Sequence, residues 1–428
     1  MKRLTCKKPF VACLAAVMLF TGCAKNKPES TSPIKNDPAV KTEIDLKAVE
    51  NKIYDEEKMN SEYGRYCFNL MSQIASDAEK NCNIMISPAS IMMALDMCAA
   101  GAKGETLRQL TDLFAQKADP LEQQAFASEL MKKINAAQKV DFACANAIWS
   151  NESSMGDKMN VEYKDYIKKT FSAEFRTSKF GPETHKEINK WVDEKTNHMI
   201  KDAVPPLEPT TVMVLVNAIR FEGKWKNGYN DNQITEYDFN GTKVTKKTTM
   251  LISREAGYFM TEKATGFIKY YEGEEYAFLA ILPKDKNISA NEFIRNFTYG
   301  DYKEFIDSRK YIAVNAIMPE FKNDFEMSLK DALKRLGVTT AFDPNTADLT
   351  GIANGINENL YISKVFHKTH IEVDRNGTKA AAVTTVEVDG NSAQEADFEE
   401  VFLNRPYVYA IVDKTTMNPV FIGTVNNV

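Results

Sequence analysis

Gly377-Thr-Lys-Ala-Ala-Ala-Val-Thr-Thr-Val-Glu-Val-Asp-Gly-Asn391 is the most informative segment of this chain. With a period of two, Thr378, Ala380, Ala382, Thr384, Val386, Val388 and Gly390 share one face, small or apolar and free of charge. Lys379, Glu387 and Asp389 all fall on the other face. This is the pattern of a β-strand with one side buried. The next residues, 392–400, are polar and acidic, with nothing evident to pair them. A strand-competent sequence therefore runs straight into an exposed loop. Taken alone, the same pattern also describes an ordinary edge strand joined to a surface loop.

Around this segment the chain divides into a helical first half and a strand-rich second half. Cys67, Leu70, Met71 and Ile74 recur at helical spacing and predict a helix over about 57–78. Residues 83–86 read as a short strand. Ser87-Pro88 then opens a helix with Ile91, Leu95 and Cys98 on one face. Gly101 and Gly104 break the chain before a helix through Leu107, Leu110 and Phe114, and another spans about 121–136. Next come a strand at 140–149 and helices at 163–171 and 186–199. Residues 212–219 are continuously apolar, as in a strand buried on both faces. Strands dominate 237–283, a helix covers 329–336, and strands return from 360 to the end. The order predicts an α+β fold built on a large sheet, without repeats.

The N-terminus reads as a leader rather than as body. Lys2, Arg3, Lys7 and Lys8 precede an apolar run from Phe10 to Phe20, too short to span a bilayer comfortably, and Thr21-Gly22-Cys23 comes next. Small residues before a Cys resemble the lipobox of bacterial lipoproteins, with Phe20 where Leu is usual. Residues 1–22 are expected to be a lipoprotein signal peptide and Cys23 the acylated residue. Residues 23–50 are expected to be a flexible tether, and 51–428 the folded body. The chain is then exported and lipid-anchored in a bacterial cell envelope. Cys67, Cys82, Cys98 and Cys144 match no metal spacing. They are expected to be buried free thiols, although sequence cannot fix their pairing.

Several function classes drop out. A net charge of −5 over 428 residues, with no basic stripe, gives no footprint for nucleic acid. No GxSxG, HExxH, P-loop or GxGxxG occurs, so an enzyme is not indicated, nor is a cofactor or metal. His367 and His370, three apart on a predicted strand, point to opposite faces and cannot chelate jointly. One buried and one surface imidazole are expected.

Ordered segments across nearly the whole body resemble the serpin family. They are residues 83–91 (NIMISPASI), 101–106 (GAKGET), 188–196 (INKWVDEKT), 215–225 (LVNAIRFEGKW), 360–368 (LYISKVFHK), 404–407 (NRPY) and 421–425 (FIGTV). The resemblance implies one domain of three β-sheets with eight or nine helices and an exposed reactive-centre loop. It also implies inhibition of serine endopeptidases; within the loop, Val386, Val388 and Ala393 would suit elastase-like or papain-like cysteine enzymes. The peptidase cuts the loop and is held as an acyl-enzyme while the severed loop enters the main sheet as a new strand.

On this resemblance the hinge is Gly377, Thr378, Lys379, Ala380, Ala381, Ala382, Val383 and Thr384, and the scissile bond is Asn391–Ser392. Ser87, Ser90, Asn217 and His367 match the family's shutter, and Trp225 its breach. Serpins commonly carry Glu where this chain has Arg375, and Lys where it has Glu320. With both charges reversed, an Arg375–Glu320 pair is expected. Only Lys132 and Lys133 are adjacent near the fourth helix, so no heparin-type cofactor site is expected, and a monomer is. The competing reading is a serpin-fold lipoprotein that binds or carries without inhibiting.

Overall fold

The computed structural model describes residues 14–24, 43–208, 210–356, 358–378 and 398–428. Hinge residues Lys379 to Thr384 and the expected scissile bond Asn391–Ser392 lie outside them. The chain opens with strand β1 (Leu14–Ala24), then α1 (Glu56–Asp77), β2 (Met85–Ile86), α2 (Pro88–Ala99), α3 (Gly104–Asp112) and α4 (Pro120–Ala136). Next come β3 (Asp141–Asn151), α5 (Val161–Phe171), β4 (Glu174–Ser178), α6 (Thr184–Lys195) and β5 (Thr211–Lys224). The middle holds β6 (Ile234–Asn240), β7 (Thr245–Met260), β8 (Ala264–Tyr270), β9 (Tyr276–Pro283), α7 (Ala290–Arg295), α8 (Tyr299–Asp307), β10 (Lys310–Pro319), β11 (Phe321–Ser328) and α9 (Lys330–Arg335). It closes with β12 (Glu358–Asp374), β13 (Gly377–Thr378), β14 (Glu399–Phe402), β15 (Tyr407–Asp413) and β16 (Pro419–Val425).

These strands make two hydrogen-bonded sheets among the described residues. The first runs β11-β12-β1-β5-β3-β4, with the short β13 sharing the gap between β12 and β5. The second runs β14-β10-β7-β8-β9-β15-β16-β2, with β6 on β7. The third sheet implied by the resemblance is continuous with the second through β7. That strand pairs with β8 at one end and β6 at the other, and with β10 from Met250 to Tyr258.

The first sheet is covered on both faces, which is why β5 is apolar at nearly every position. Met213, Leu215 and Ile219 enter the main core, whose helix α2 is buried along its whole length. Val214, Val216 and Ala218 enter a second cluster with Ile188, Trp191 and Val192 of α6, where Trp149 and Trp191 meet edge to face at 5.4 Å. Local chemistry sets where helices start. Ser87 caps α2 ahead of Pro88 by accepting the Ser90 amide, and Asp55 caps α1 by accepting the Lys58 amide at 3.0 Å.

Several expectations need correction. Residues 14–24 were expected to lie outside the body, but they form the strand between β12 and β5, in register with both. An apolar run that suits a leader also suits a strand buried on two faces, and Ala16, Val17, Met18, Leu19 and Phe20 are all essentially buried. The tether was expected to run to residue 50. Ile44 and Val49 are instead buried against the core, so the body begins before residue 51.

The helix expected over 186–199 stops at Lys195, because the backbone of Asn197 and His198 turns left-handed there. His370 was expected at the surface if His367 was buried, yet both are buried. Asp324, across the β11–β12 ladder, holds His370 Nδ1 at 2.5 Å. Cys67, Cys98 and Cys144 are free and buried, whereas Cys82 is disulfide-bonded.

Candidate functional site

The site begins where β12 turns back on itself. Asp374 Oδ1 accepts the amides of Asn376 at 2.7 Å and Gly377 at 3.2 Å, closing a tight turn into β13. Gly377 adopts φ of +153°, and a Cβ there would lie 2.0 Å from the Gly223 carbonyl oxygen. Glycine is therefore required for β13 to approach β5. Thr378 then lies between Val373 of β12 and Gly223 of β5. Only 1% of it is exposed, and its hydroxyl bonds that of Tyr271 at 2.6 Å.

Aromatic and charged groups brace this corner. Trp225 Nε1 donates to the Asp374 carbonyl at 2.9 Å, and the ring stacks on Tyr271 at 4.7 Å. The structure brings Arg375 and Glu320 together. The Arg375 amide donates to Glu320 Oε1 at 3.2 Å, and its Nε lies 3.6 Å from the same oxygen. Asp231, which sequence reasoning missed, stands 3.4 Å from Nη1. Arg375 is partly exposed, so the ion pair itself stabilises by at most about 1 kcal/mol.

Beneath Trp225 lies a buried pair that periodicity did not reveal. Lys269 Nζ donates to Glu255 Oε1 at 2.6 Å and to the Asn227 carbonyl at 3.0 Å. It also sits 4.5 Å from the Tyr229 ring centroid and 5.4 Å from that of Trp225. Burial lowers the ammonium's pKa, and Glu255 opposes the shift. The only sequence signal was a Lys within an otherwise apolar strand.

The second part lies lower, where α2 meets the sheet. Ser90 Oγ donates to Asn217 Oδ1. Asn217 Nδ2 in turn donates to Asn146 Oδ1 at 2.7 Å and to the Cys144 sulfur at 3.1 Å. The Ser87 amide donates to His367 Nε2 at 3.4 Å. Ala16 of β1 is registered opposite Asn217 on one side and His367 on the other, so a strand separates these two members of the cluster. Ser87, Ser90, Asn217 and His367 are all fully buried. Cys144 and Asn146 join the cluster from β3, and their period-two spacing becomes meaningful only once β3 is paired with β5. Cys23 lies at the far end of β1, its backbone opposite Asn359.

The family profile described as Serpin (serine protease inhibitor) matches residues 61–428. This chain is a serpin. Iripin-5 of Ixodes ricinus is 33% identical over 87% of this chain and 95% of its own length. A serpin-like protein of Methanosarcina mazei is 30% identical, spanning 97% of this chain and 96% of its own length. The native state of the thermophilic serpin tengpin superimposes with a TM-score of 0.79 at 34% identity, covering 88% of this chain and 96% of tengpin. Its latent state gives 0.75 at 33% identity, covering 87% of this chain and 98% of tengpin. Serpins are typically protease inhibitors rather than catalysts.

The buried polar groups of this serpin can be tested directly. Lys269→Met leaves Glu255 without its partner and is expected to cost about 3–5 kcal/mol in urea unfolding, whereas Lys269→Met with Glu255→Leu should recover most of that loss. A double variant no more stable than the single one would show that the pair is not the relevant unit. For His367, burial holds the pKa down at about 3 against 6.5 for a free imidazole. The unfolded chain therefore binds the proton first as pH falls. Stability contributed by the neutral ring is complete above 6.5 and declines towards 3, by up to about 1.4 kcal/mol per pH unit. His367→Asn should flatten that acid limb of the urea midpoint, and an unchanged limb would contradict the assignment.

Proposed function

We propose that this serpin inhibits serine endopeptidases, and papain-like cysteine endopeptidases by the same route, through insertion of its cleaved loop into the first sheet. The observation that carries the reading is the hinge: Gly377 and Thr378 are already paired to β12 and β5 at once, at the mouth of the strand position between them. In this reading the peptidase nucleophile attacks the Asn391 carbonyl. The bond to Ser392 breaks, and the departing amine takes the proton through the peptidase's own base. The acyl-enzyme then travels with the inserting strand. Roughly a dozen new backbone hydrogen bonds at about 0.5–1.5 kcal/mol each supply the driving force.

Support comes from the face that must enter: Thr378, Ala380, Ala382 and Thr384 are small and uncharged. A charge on that face would be buried unpaired at a cost of several kcal/mol. We further propose that the mature protein starts at an acylated Cys23 and is anchored in the cell envelope, monomeric and without a heparin-type cofactor. The small residues before Cys23 and the polar stretch after it support the anchoring.

The test is a soluble form beginning at residue 24, mixed with serine and cysteine endopeptidases. An SDS-stable adduct with loss of peptidase activity is the expected result, whereas cleavage of the loop without adduct would favour a carrier role. Thr378→Arg should convert inhibitor into substrate, because Thr378 is buried against Tyr271. Inhibition by that variant at the parental rate would exclude insertion.

A further inference from the structure

The strand position between β12 and β5 is filled, and nearly all the residues filling it are ones that the mature lipoprotein would lack. β1 pairs with β5 from Leu14 to Thr21 and with β12 from Ala15 to Ala24, antiparallel to both, so the inner edges of both strands are satisfied along its length. Its side chains suit both layers. Ala16, Met18 and Phe20 join the main core, while Val17 and Leu19 join the cluster under α6 with Trp149, Trp191, Val214 and Val216. Ser363 Oγ donates to the Leu19 carbonyl at 2.9 Å. No residue from Leu14 to Ala24 carries a charged side chain.

Register makes the occupancy exclusive. Thr378 stands opposite Gly223 and Val373. Continuing that antiparallel register down the sheet assigns the rung between Asn217 and His367 to Thr384. Ala16 holds that rung. The leader and an inserted loop therefore need the same rungs and exclude each other. Cys23 is itself part of the ladder, opposite Asn359. A processing peptidase needs an extended, accessible chain, so seating the leader and cleaving it before Cys23 are alternative fates.

We infer that residues 14–24 act as an intramolecular plug: a chain that folds with its leader attached closes its own sheet, takes no other strand there, and is opened only by loss of the leader. The consequence for inhibition rests on the function proposed above, whereas the seating and the exclusion of a competing strand do not. In this arrangement a chain that folds before export is shielded from spending itself on peptidases inside the cell.

The test uses the full-length chain. Val17→Cys with Val216→Cys places two cysteines on paired residues of one face, at a separation suited to a disulfide, and peptide mapping should find the crosslink. Leu19→Asp, which puts a carboxylate into the α6 cluster, should unseat the plug. A synthetic peptide with the sequence of residues 378–390 should then bind this variant at least ten times more than the parent, and adduct with peptidase should rise in parallel. A missing crosslink, or a parent chain that takes up the peptide as readily as Leu19→Asp, overturns the plug. If Leu19→Asp does not fold, the crosslink yield of the other variant decides. A crosslink in the double-cysteine variant and peptide exclusion by the parent, together with a peptide-binding Leu19→Asp variant that forms no adduct, would leave the plug standing and remove the inhibitory function instead.

Discussion

Two strands with a place between them govern this molecule. β5 and β12 both run antiparallel to β1 and hence parallel to one another. Their inner edges lie between two apolar layers, away from water, where each unpaired backbone group costs about 1–3 kcal/mol. Whatever strand occupies that position gains a full ladder and two packed faces. The rest of the architecture serves this gap. α2 floors it, α6 roofs it, the Ser90–Asn217 bond and the Ser87 contact to His367 flank it midway, and Trp225 and Tyr271 guard its mouth.

The corner above the gap shows how a charge interaction survives reversal. The family's usual Glu and Lys have exchanged signs to become Arg375 and Glu320, and attraction depends only on the product of the charges. The exchange has a local consequence, since Arg375's longer fork also reaches Asp231. Because these groups are partly solvated, the firmer support comes from below. There the Lys269–Glu255 pair is enclosed by Tyr229 and Trp225, and its geometry is fixed by a second bond, from Lys269 to the Asn227 carbonyl.

Much of the fold could be read from the sequence wherever one physical signal dominated. α1 was visible because it repeats its apolar positions over several turns. β5 was visible because it is buried on both sides. α7 and α8 were not read from the sequence. Their signals were the caps at Ser289 and Thr298, the latter a reciprocal capping box with Asp301. The burial of His370 depended on Asp324, which is remote in sequence and adjacent only after β11 pairs with β12. Within the site, Gly377, Thr378, Trp225 and the polar cluster under α2 carried motif-level signals. Tyr271, Lys269 and Asp231 act through contacts that no local pattern encodes. The seat of residues 14–24 in the sheet was not legible because hydropathy reports that a segment avoids water without saying whether lipid or protein receives it.

The three free cysteines among the described residues have a chemical consequence. Burial pushes the thiols of Cys98 and Cys144 up to about 12, and that of Cys67 is raised as well. At neutral pH the reactive thiolate is then on the order of one molecule in ten thousand or fewer. Oxidants, which act on the anion, find almost nothing to attack while the chain is folded. Once unfolded in an oxidising medium, all three return to ordinary acidity and become free to oxidise. Denaturation outside the cytosol should therefore be erased by refolding only if it is brief, and turn permanent as sulfur chemistry overtakes the chain.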